Sequence, residues 1–349
     1  MEKQDIYAAL PGALLPWYDA NRRDLPWRQD KDPYHIWISE IMLQQTRVEA
    51  VKGYYARFLQ ALPDIAALAA ADDDQLHKLW EGLGYYSRVR NLKKAAICVM
   101  EDHGGIFPRT HAEVSALPGI GPYTSGAICS IAYNLPTPAV DGNVLRVVSR
   151  LADDSTPIDD TAFKKAITAS LAAVYPERAG DFTQALMELG ATVCGPNKKP
   201  DCPNCPCAAF CLAAQRGTAE SLPVKKAKAA RKTEEKTVFI LSCDGEYALS
   251  KRPNRGLLAG LWEFPNVTGK LELDGAIAHV EQTGGKVKDI LRQVEKKHVF
   301  THIEWHMSGI YIELSEKCSG FTWLSGERIE AEAALPTAFR QFWEECSYV

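Results

Sequence analysis

Five of the ten cysteines in this 349-residue chain fall between residues 194 and 211, in the order Cys194-x7-Cys202-x2-Cys205-Pro206-Cys207-x3-Cys211. No other feature restricts the fold so strongly, because thiols packed this densely must be bonded to something. The N-terminus, Met1 to Leu10, carries Glu2, Lys3 and Asp5 and lacks the apolar core of a signal peptide, so a reducing, cytoplasmic setting is expected. Ligation then outranks disulfides. Four thiolates suit either a tetrahedral zinc or a [4Fe–4S] cube. A zinc ribbon generally wants two close pairs parted by a longer loop, whereas here one cysteine stands off from a tight group. The other five cysteines are scattered and read as inert core residues.

What precedes the cluster reads as helix after helix. Val48, Val51, Tyr55, Phe58 and Leu59 recur at helical spacing, as do Leu76, Leu79, Trp80 and Leu83, with Asp72, Asp73 and Asp74 as caps for the second run. Further runs follow at 90–100, 123–132, 143–150, 161–174 and 181–193, separated by Gly-Pro clusters. Past Cys211 the pattern changes. Ala, Lys, Glu and Arg dominate without apolar periodicity, as in a linker. Beyond it, Val238–Ser242 and Tyr247–Lys251 flank Asp244-Gly245, a hairpin signal. Ile303, Trp305 and Met307, then Ile310, Ile312 and Leu314, alternate as half-buried strands do, and a closing helix is expected near 337–346. The expected organisation is an all-α part over 1–212, a linker over 213–235 and an α+β part over 236–349. A chain of this length accommodates two cores, and its 46% hydrophobic and 24% charged residues are ordinary for a globular protein. No apolar run is long enough to span a membrane.

The net charge of −4 does not itself suggest a nucleic-acid partner. Phosphate affinity depends on where cations sit, and local basic clusters occur at Arg22–Arg23, at Arg88–Arg90 with Lys93–Lys94, and along residues 225–232. Within Leu117-Pro-Gly-Ile-Gly-Pro-Tyr-Thr-Ser-Gly126, Gly119 and Gly121 stand directly before a helix. Glycines permit close backbone approach, and a helix start offers unpaired N–H groups to an anion such as a DNA phosphate. Asp141 and Asn143 then frame the start of another helix, where an N-cap would also account for them.

Together, the hairpin at 117–126, the aspartate about twenty residues later and the terminal cysteines resemble the helix–hairpin–helix glycosylase superfamily. Trp37-Ile-Ser-Glu40-Ile-Met-Leu-Gln44-Gln45-Thr46 narrows the resemblance to the MutY-type adenine glycosylases, and it runs over nearly the whole chain. The fold implied is an all-α helix–hairpin–helix glycosylase domain with a [4Fe–4S] loop. The implied ligands are Cys194, Cys202, Cys205 and Cys211. The first gap is one residue longer than the family's, and Cys207 is an extra cysteine that competes as a ligand. Adenine leaves deoxyribose poorly as an anion, so the departing base must be protonated; Glu40 matches the family's acid. Asp141 matches the carboxylate that stabilises or captures the oxocarbenium-like sugar. Lyase-type relatives carry a lysine where Tyr123 stands, so a monofunctional enzyme is implied, with Tyr123 and Asn143 as hydrogen-bond partners around the sugar and Asp141. The base pocket maps onto Leu25, Trp27, Arg28 and Gln184; Gln44 and Tyr85 match intercalating residues.

Gly256-Leu-Leu-Ala-Gly260-Leu-Trp-Glu-Phe-Pro265 resembles the MutY version of a Nudix-like domain. Where a Nudix hydrolase needs several metal-binding carboxylates, residues 277–284 retain only Glu281 from that set, so hydrolase chemistry is not expected. The resemblance implies reading of 8-oxoguanine opposite the adenine by Phe300, Thr301 and His302, with Gly260 approaching a phosphate or serving a turn. The expected partner is duplex DNA holding A·8-oxoG or A·G mispairs, bound by a monomer at the nucleoid. Competing readings are a bifunctional endonuclease III-like lyase, a Nudix hydrolase and a non-catalytic iron–sulfur DNA-binding protein.

Overall fold

The structure, a computed structural model, describes residues 3–196, 199–227 and 230–348. Its internal contacts divide the chain into two compact units, Met1–Ala70 with Asn91–Ala227 and Ala71–Arg90 with Lys228–Val349. The division departs from a single cut near residue 212. Ala71–Arg90 belongs with the second unit because its helix, Asp73–Leu79, is tied there by polar contacts. Lys78 Nζ donates to the Ala333 carbonyl at 3.2 Å, and the Leu335 N–H donates to Glu81 Oε1 at 3.0 Å.

The described residues of the first unit form helices and turns without strands. Lys3–Asn21 opens it, burying Ile6, Tyr7, Leu10, Leu14 and Tyr18 on one stripe although Pro11 and Pro16 lie inside it. The helix Pro33–Leu43 starts on Asp32, whose side chain accepts the Tyr34 N–H, and buries residues on nearly every side. Val48–Ala61, Pro122–Tyr133, Gly142–Leu151, Thr161–Ala172 and Ala179–Thr192 follow the expected runs to within a few residues. The run at 76–83 is shorter than its spacing suggests. Its helix ends at Leu79, since Gly82 and Gly84 take positive φ and turn the chain. Leu212–Arg216, inside the expected linker, is a short helix.

The second unit is built on one mixed sheet. Its strands are β1 (Lys232–Cys243), β2 (Glu246–Lys251), β3 (Trp262–Glu263), β4 (Asn266–Thr268), β5 (Val287–Val299), β6 (Ile303–Leu314) and β7 (Thr322–Ser325). The main order is β3-β2-β1-β6-β5, with β4 beside β1 and β7 beside β2; only β1 and β6 run parallel. Asp244 and Gly245 both take positive φ in the β1–β2 hairpin, which pairs Cys243 with Glu246. The two alternating runs at 303–314 are one strand whose faces both find a core. Trp305, Met307 and Tyr311 pack with Phe339 and Phe342 of the helix Thr337–Trp343. Ile310, Ile312 and Leu314 pack with Ala276 and Val280 of the helix Leu273–Gln282. β5, an edge strand of thirteen residues, has no counterpart in the sequence reading.

Candidate active site and cysteine centre

Five helices and one 3₁₀ turn of the first unit surround a cleft of about 520 Å3, a volume suited to a nucleoside-sized group. It is lined by Leu25, Trp27, Arg28, Glu40, Gln44, Tyr123, Asp141, Asn143 and Gln184, so the carboxylates, their partners and the base-pocket residues expected from sequence meet in one place.

Glu40 comes from the interior of Pro33–Leu43 and is 5% exposed. The Tyr123 hydroxyl, from the first turn of Pro122–Tyr133, donates to Glu40 Oε2 at 2.5 Å. Burial pushes the Glu40 carboxyl up to about 7; the Tyr123 bond and Arg28 work against that, and the Asp141 charge adds to it. A carboxyl poised there can still carry a proton at neutral pH. Asp141 is the N-cap of Gly142–Leu151, with Oδ1 accepting the Val144 N–H and Oδ2 the Asn143 amide, both at 2.7 Å. Burial raises its pKa, while those two bonds and Arg146 oppose the rise. Cap and cleft residue are therefore one role: the hydrogen bonds that start the helix also orient the carboxylate.

The purine-edge residues are already engaged. Arg28 Nη2 donates to Glu188 Oε2 at 2.8 Å and Nη1 to the Arg23 carbonyl at 3.1 Å, while Arg23 Nε reaches Glu188 Oε1 at 2.6 Å. Burial favours a protonated Glu188, but the two guanidiniums hold its carboxyl below the ordinary range. Arg28 is thus a clamped cation at the cleft wall. Glu188 was missed in the sequence and Arg23 was read only as part of a basic cluster, although Gln184 and Glu188 lie four apart on one helix, a spacing that puts both on the same face. Trp27 is buried edge-on against Tyr55, with ring centres 5.6 Å apart. Gln44 stands just past the end of Pro33–Leu43, its amide 3.4 Å from Thr124 Oγ1.

Arg146, also unforeseen, links this cleft to the cysteine loop. Its guanidinium donates to Asn143 Oδ1 at 2.8 Å, to the Gly190 carbonyl at 2.7 Å and to the Cys194 carbonyl at 2.8 Å. Cys194, Cys202, Cys205 and Cys211 line one cavity, walled by Val147, Leu151 and Leu189. Cys207 is fully buried and absent from that lining, but it shares the hydrophobic core with Cys194 and Cys211 and its thiol is hydrogen-bonded to Cys205. Arg150 Nη1 lies 3.2 Å from Cys194 Sγ, a cation where thiolate charge would accumulate. Among the described residues, no three His, Cys, Asp or Glu side chains converge on a point that one metal ion would occupy. Four thiols spread around a cavity fit a cube, whose iron corners are separate, better than a single tetrahedral ion.

The glycines before Pro122–Tyr133 differ. Gly119 has φ +76, and a Cβ there would meet Asn91 Cβ at 2.5 Å, so only glycine fits. Gly121, the N-cap, has an ordinary φ of −87 and open space around it; close approach within the protein does not explain it.

In the second unit, Phe300-Thr301-His302 is the tip of the β5–β6 hairpin, closed by the Phe300 N–H donating to the Ile303 carbonyl at 2.8 Å. Phe300 is anchored edge-on against Trp305, leaving Thr301 and His302 exposed. Tyr85 belongs to this unit too, is 50% exposed, and its hydroxyl lies 3.2 Å from Thr301 Oγ1. Gly260 serves a turn: φ is +73 and its N–H is taken by the Pro253 carbonyl at 3.1 Å, which leaves that N–H no free bond for a phosphate. The Arg88–Arg90 cluster is also no open phosphate stripe, since Arg88 donates to the Leu83 and Gly84 carbonyls and Arg90 to that of Ala259.

Comparison with known proteins agrees with this arrangement. Residues 38–172 match the HhH-GPD superfamily of base excision DNA repair proteins, and residues 237–345 match the NUDIX domain. The adenine DNA glycosylase of Homo sapiens is 35% identical over 95% of this chain and 73% of its own length. That of Buchnera aphidicola subsp. Baizongia pistaciae is 34% identical over 87% of this chain and 86% of its own. A thermostable thymine-DNA glycosylase structure superposes with a TM-score of 0.53 at 28% identity, covering 62% of this chain and 98% of that one. With Glu40, Asp141 and the residues expected around a base lining one cleft and such relatives spanning most of its length, the chain belongs to the MutY-type adenine DNA glycosylase family, the DNA N-glycosylases that excise adenine in base excision repair.

Proposed function

We propose that this enzyme removes adenine mispaired with 8-oxoguanine, or with guanine, from duplex DNA, by acid-assisted hydrolysis of the N-glycosidic bond and without cutting the strand. The observation that carries the reading is Glu40, buried in a nucleoside-sized cleft with its carboxyl pushed up to about 7 and Asp141 facing the same space. An extruded adenine lying between Leu25, Trp27 and the Arg28–Glu188 clamp, with Gln184 at its polar edge, would present its ring nitrogens to Glu40. Proton transfer from Glu40 lets the base depart as a neutral molecule. The developing cationic sugar then faces Asp141, whose charged form the Val144 N–H and the Asn143 amide favour against burial. Tyr123 keeps Glu40 oriented through its hydroxyl.

Strand cleavage by the enzyme itself would need an amine to form a Schiff base with the abasic sugar. Tyr123 occupies the position in the cleft where lyase-type relatives carry a lysine. That favours a monofunctional enzyme. Cys194, Cys202, Cys205 and Cys211 would hold a [4Fe–4S] cluster, which supplies a rigid, charged anchor for the loop; Arg146 transmits that loop's position to Asn143. Cys207→Ser should leave the visible absorption of purified protein intact, whereas Cys202→Ser should lose it. Tyr85, Thr301 and His302 form an exposed group on one unit, suited to enter the duplex and meet the opposite base. Gln44, from the first unit, would fill the stack the adenine leaves. We take the enzyme to work as a monomer at the nucleoid.

The test is incubation with A·8-oxoG, A·G and A·T duplexes, with and without later alkali. Strand breaks should appear only after alkali, and fastest for A·8-oxoG. Efficient breakage without alkali, accompanied by borohydride-trapped adduct, would instead establish a lyase.

A further inference from the structure

Tyr85 ends the turn Gly82-Leu83-Gly84-Tyr85, and its own φ is +47, flanked by Gly82 at +95 and Gly84 at +68. The two glycines adopt such angles freely; a tyrosine does so only where its surroundings hold it. Arg88 supplies that hold. Its Nη2 donates to the Leu83 carbonyl at 3.0 Å and to the Gly84 carbonyl at 3.1 Å. The guanidinium lies 5.3 Å from the Trp80 ring centre and 5.8 Å from that of Tyr85. Trp80 Nε1 also donates to the Gly84 carbonyl, at 3.1 Å, and the Arg88 N–H donates to the Tyr85 carbonyl at 2.9 Å. Burial lowers the Arg88 guanidinium to about 10, which leaves it charged at neutral pH. All of these residues lie in Ala71–Arg90, within the second unit.

The arrangement has a consequence for the exposed ring. Tyr85 is braced from behind by Arg88 and touched at its hydroxyl by Thr301, while half of its surface stays open. We infer that Arg88 is a positioning residue for opposite-base discrimination: it acts through Tyr85, keeping the strained turn closed so that the ring is already aimed when DNA arrives. Arg88 makes no contact with the base in this scheme; its Nη2 alone reaches both successive carbonyls while the guanidinium plane lies against the Trp80 ring. A lysine, a point charge on a flexible stem, can reach a carbonyl but has no plane to stack on that ring. The inference rests on the proposed role of Tyr85 in reading the opposite base.

A double-mutant cycle on the full chain tests it. Single-turnover excision and affinity would be measured on A·8-oxoG and A·G duplexes for wild type, Arg88→Met, Arg88→Lys, Tyr85→Ser and Tyr85→Ser with Arg88→Met. Arg88→Met should reduce the A·8-oxoG over A·G preference about tenfold, near the level of Tyr85→Ser, with partial recovery in Arg88→Lys. In the Tyr85→Ser background Arg88→Met should change nothing further. Because the preference is a ratio taken on one preparation, an inactive fraction cancels. An equal Arg88 effect in both backgrounds would overturn the inference, the more so if the salt dependence of binding also flattened, since Arg88 would then be touching phosphate directly. A preference altered by Tyr85→Ser but untouched by Arg88→Met would overturn it alone. An unaltered preference in Tyr85→Ser would overturn the proposed role of Tyr85 and, with it, the inference.

Discussion

The cleft around Glu40 and the tip around Thr301 are built on opposite principles. In the cleft, reactive groups come from one helix interior and two helix starts, Glu40 is buried, and burial raises the carboxyls of Glu40 and Asp141. At the tip, side chains stand in the open on a hairpin end and a strained turn, and the support behind them is at least half-buried: Phe300 against the buried Trp305, and Arg88 under Tyr85. Bond-breaking needs low dielectric and fixed charge. Reading a base inside a duplex needs reach, with little freedom left to lose on binding. The two arrangements belong to separate compact units.

The largest expected effect breaks the first side of that contrast. Glu40→Gln keeps the shape and removes the proton, and should slow base release by at least about a thousandfold, the scale of general acid catalysis, while duplex affinity changes little. Single-turnover excision and a binding titration check it; undiminished release would remove Glu40 from the chemistry. The pH profile sharpens the same point. Since Glu40 must be protonated and its carboxyl sits at about 7, the wild-type rate should fall about tenfold per pH unit above neutrality. The acid limb should lie above the range of an exposed aspartate, because burial raises Asp141, which must be ionised.

Joint replacement of Thr301 and His302 by alanine tests the other side. It should lower the A·8-oxoG over A·G preference about tenfold and leave the limiting rate on A·8-oxoG within about twofold, since the tip carries none of the cleft residues. Point changes are preferable to truncation, because removing the second unit's strands would strip the polar contacts of Asp73–Leu79 and disturb Tyr85 as well.

Stability should show the smallest effect. A carboxyl whose folded pKa is raised stabilises only while protonated: its contribution is complete below the unfolded value and disappears as pH rises through about 7. Above that, wild type must bury a charge that Glu40→Gln does not. The variant's advantage should therefore be absent near pH 4 and grow to about 1–3 kcal/mol by pH 8. Thermal melts of the first unit's transition at several pH values would reveal it.

Much of this was legible in residue patterns, for local reasons. Asp244-Gly245 announced its hairpin because positive φ at both positions is a property of those residue types. Val48–Ala61, Thr161–Ala172 and Ala179–Thr192 were readable because each buries a recurring face. Lys3–Asn21 was not, since Pro11 and Pro16 interrupt its donors while its burial stripe persists. β5 was hidden because an edge strand alternating charged and half-buried residues carries little apolar contrast. Arg28 and Arg88 look alike in sequence as free cations, and only their neighbours reveal one as clamped by Glu188 and the other as a brace.

Sequence alone was enough for residue identities and local geometry: which helices start where, which cysteines crowd together, which acids and glycines occupy motif positions. Those properties depend on chemistry within a few residues. Folding decided what lay beyond that range: that Glu40, Tyr123 and Asp141 share one cleft, that Cys194 and the later cysteines line one cavity, and that Tyr85 joins Thr301 in the second unit. A pKa, a clamp and a brace are each the sum of groups brought together from distant parts of the chain, and such sums exist only after the chain has packed.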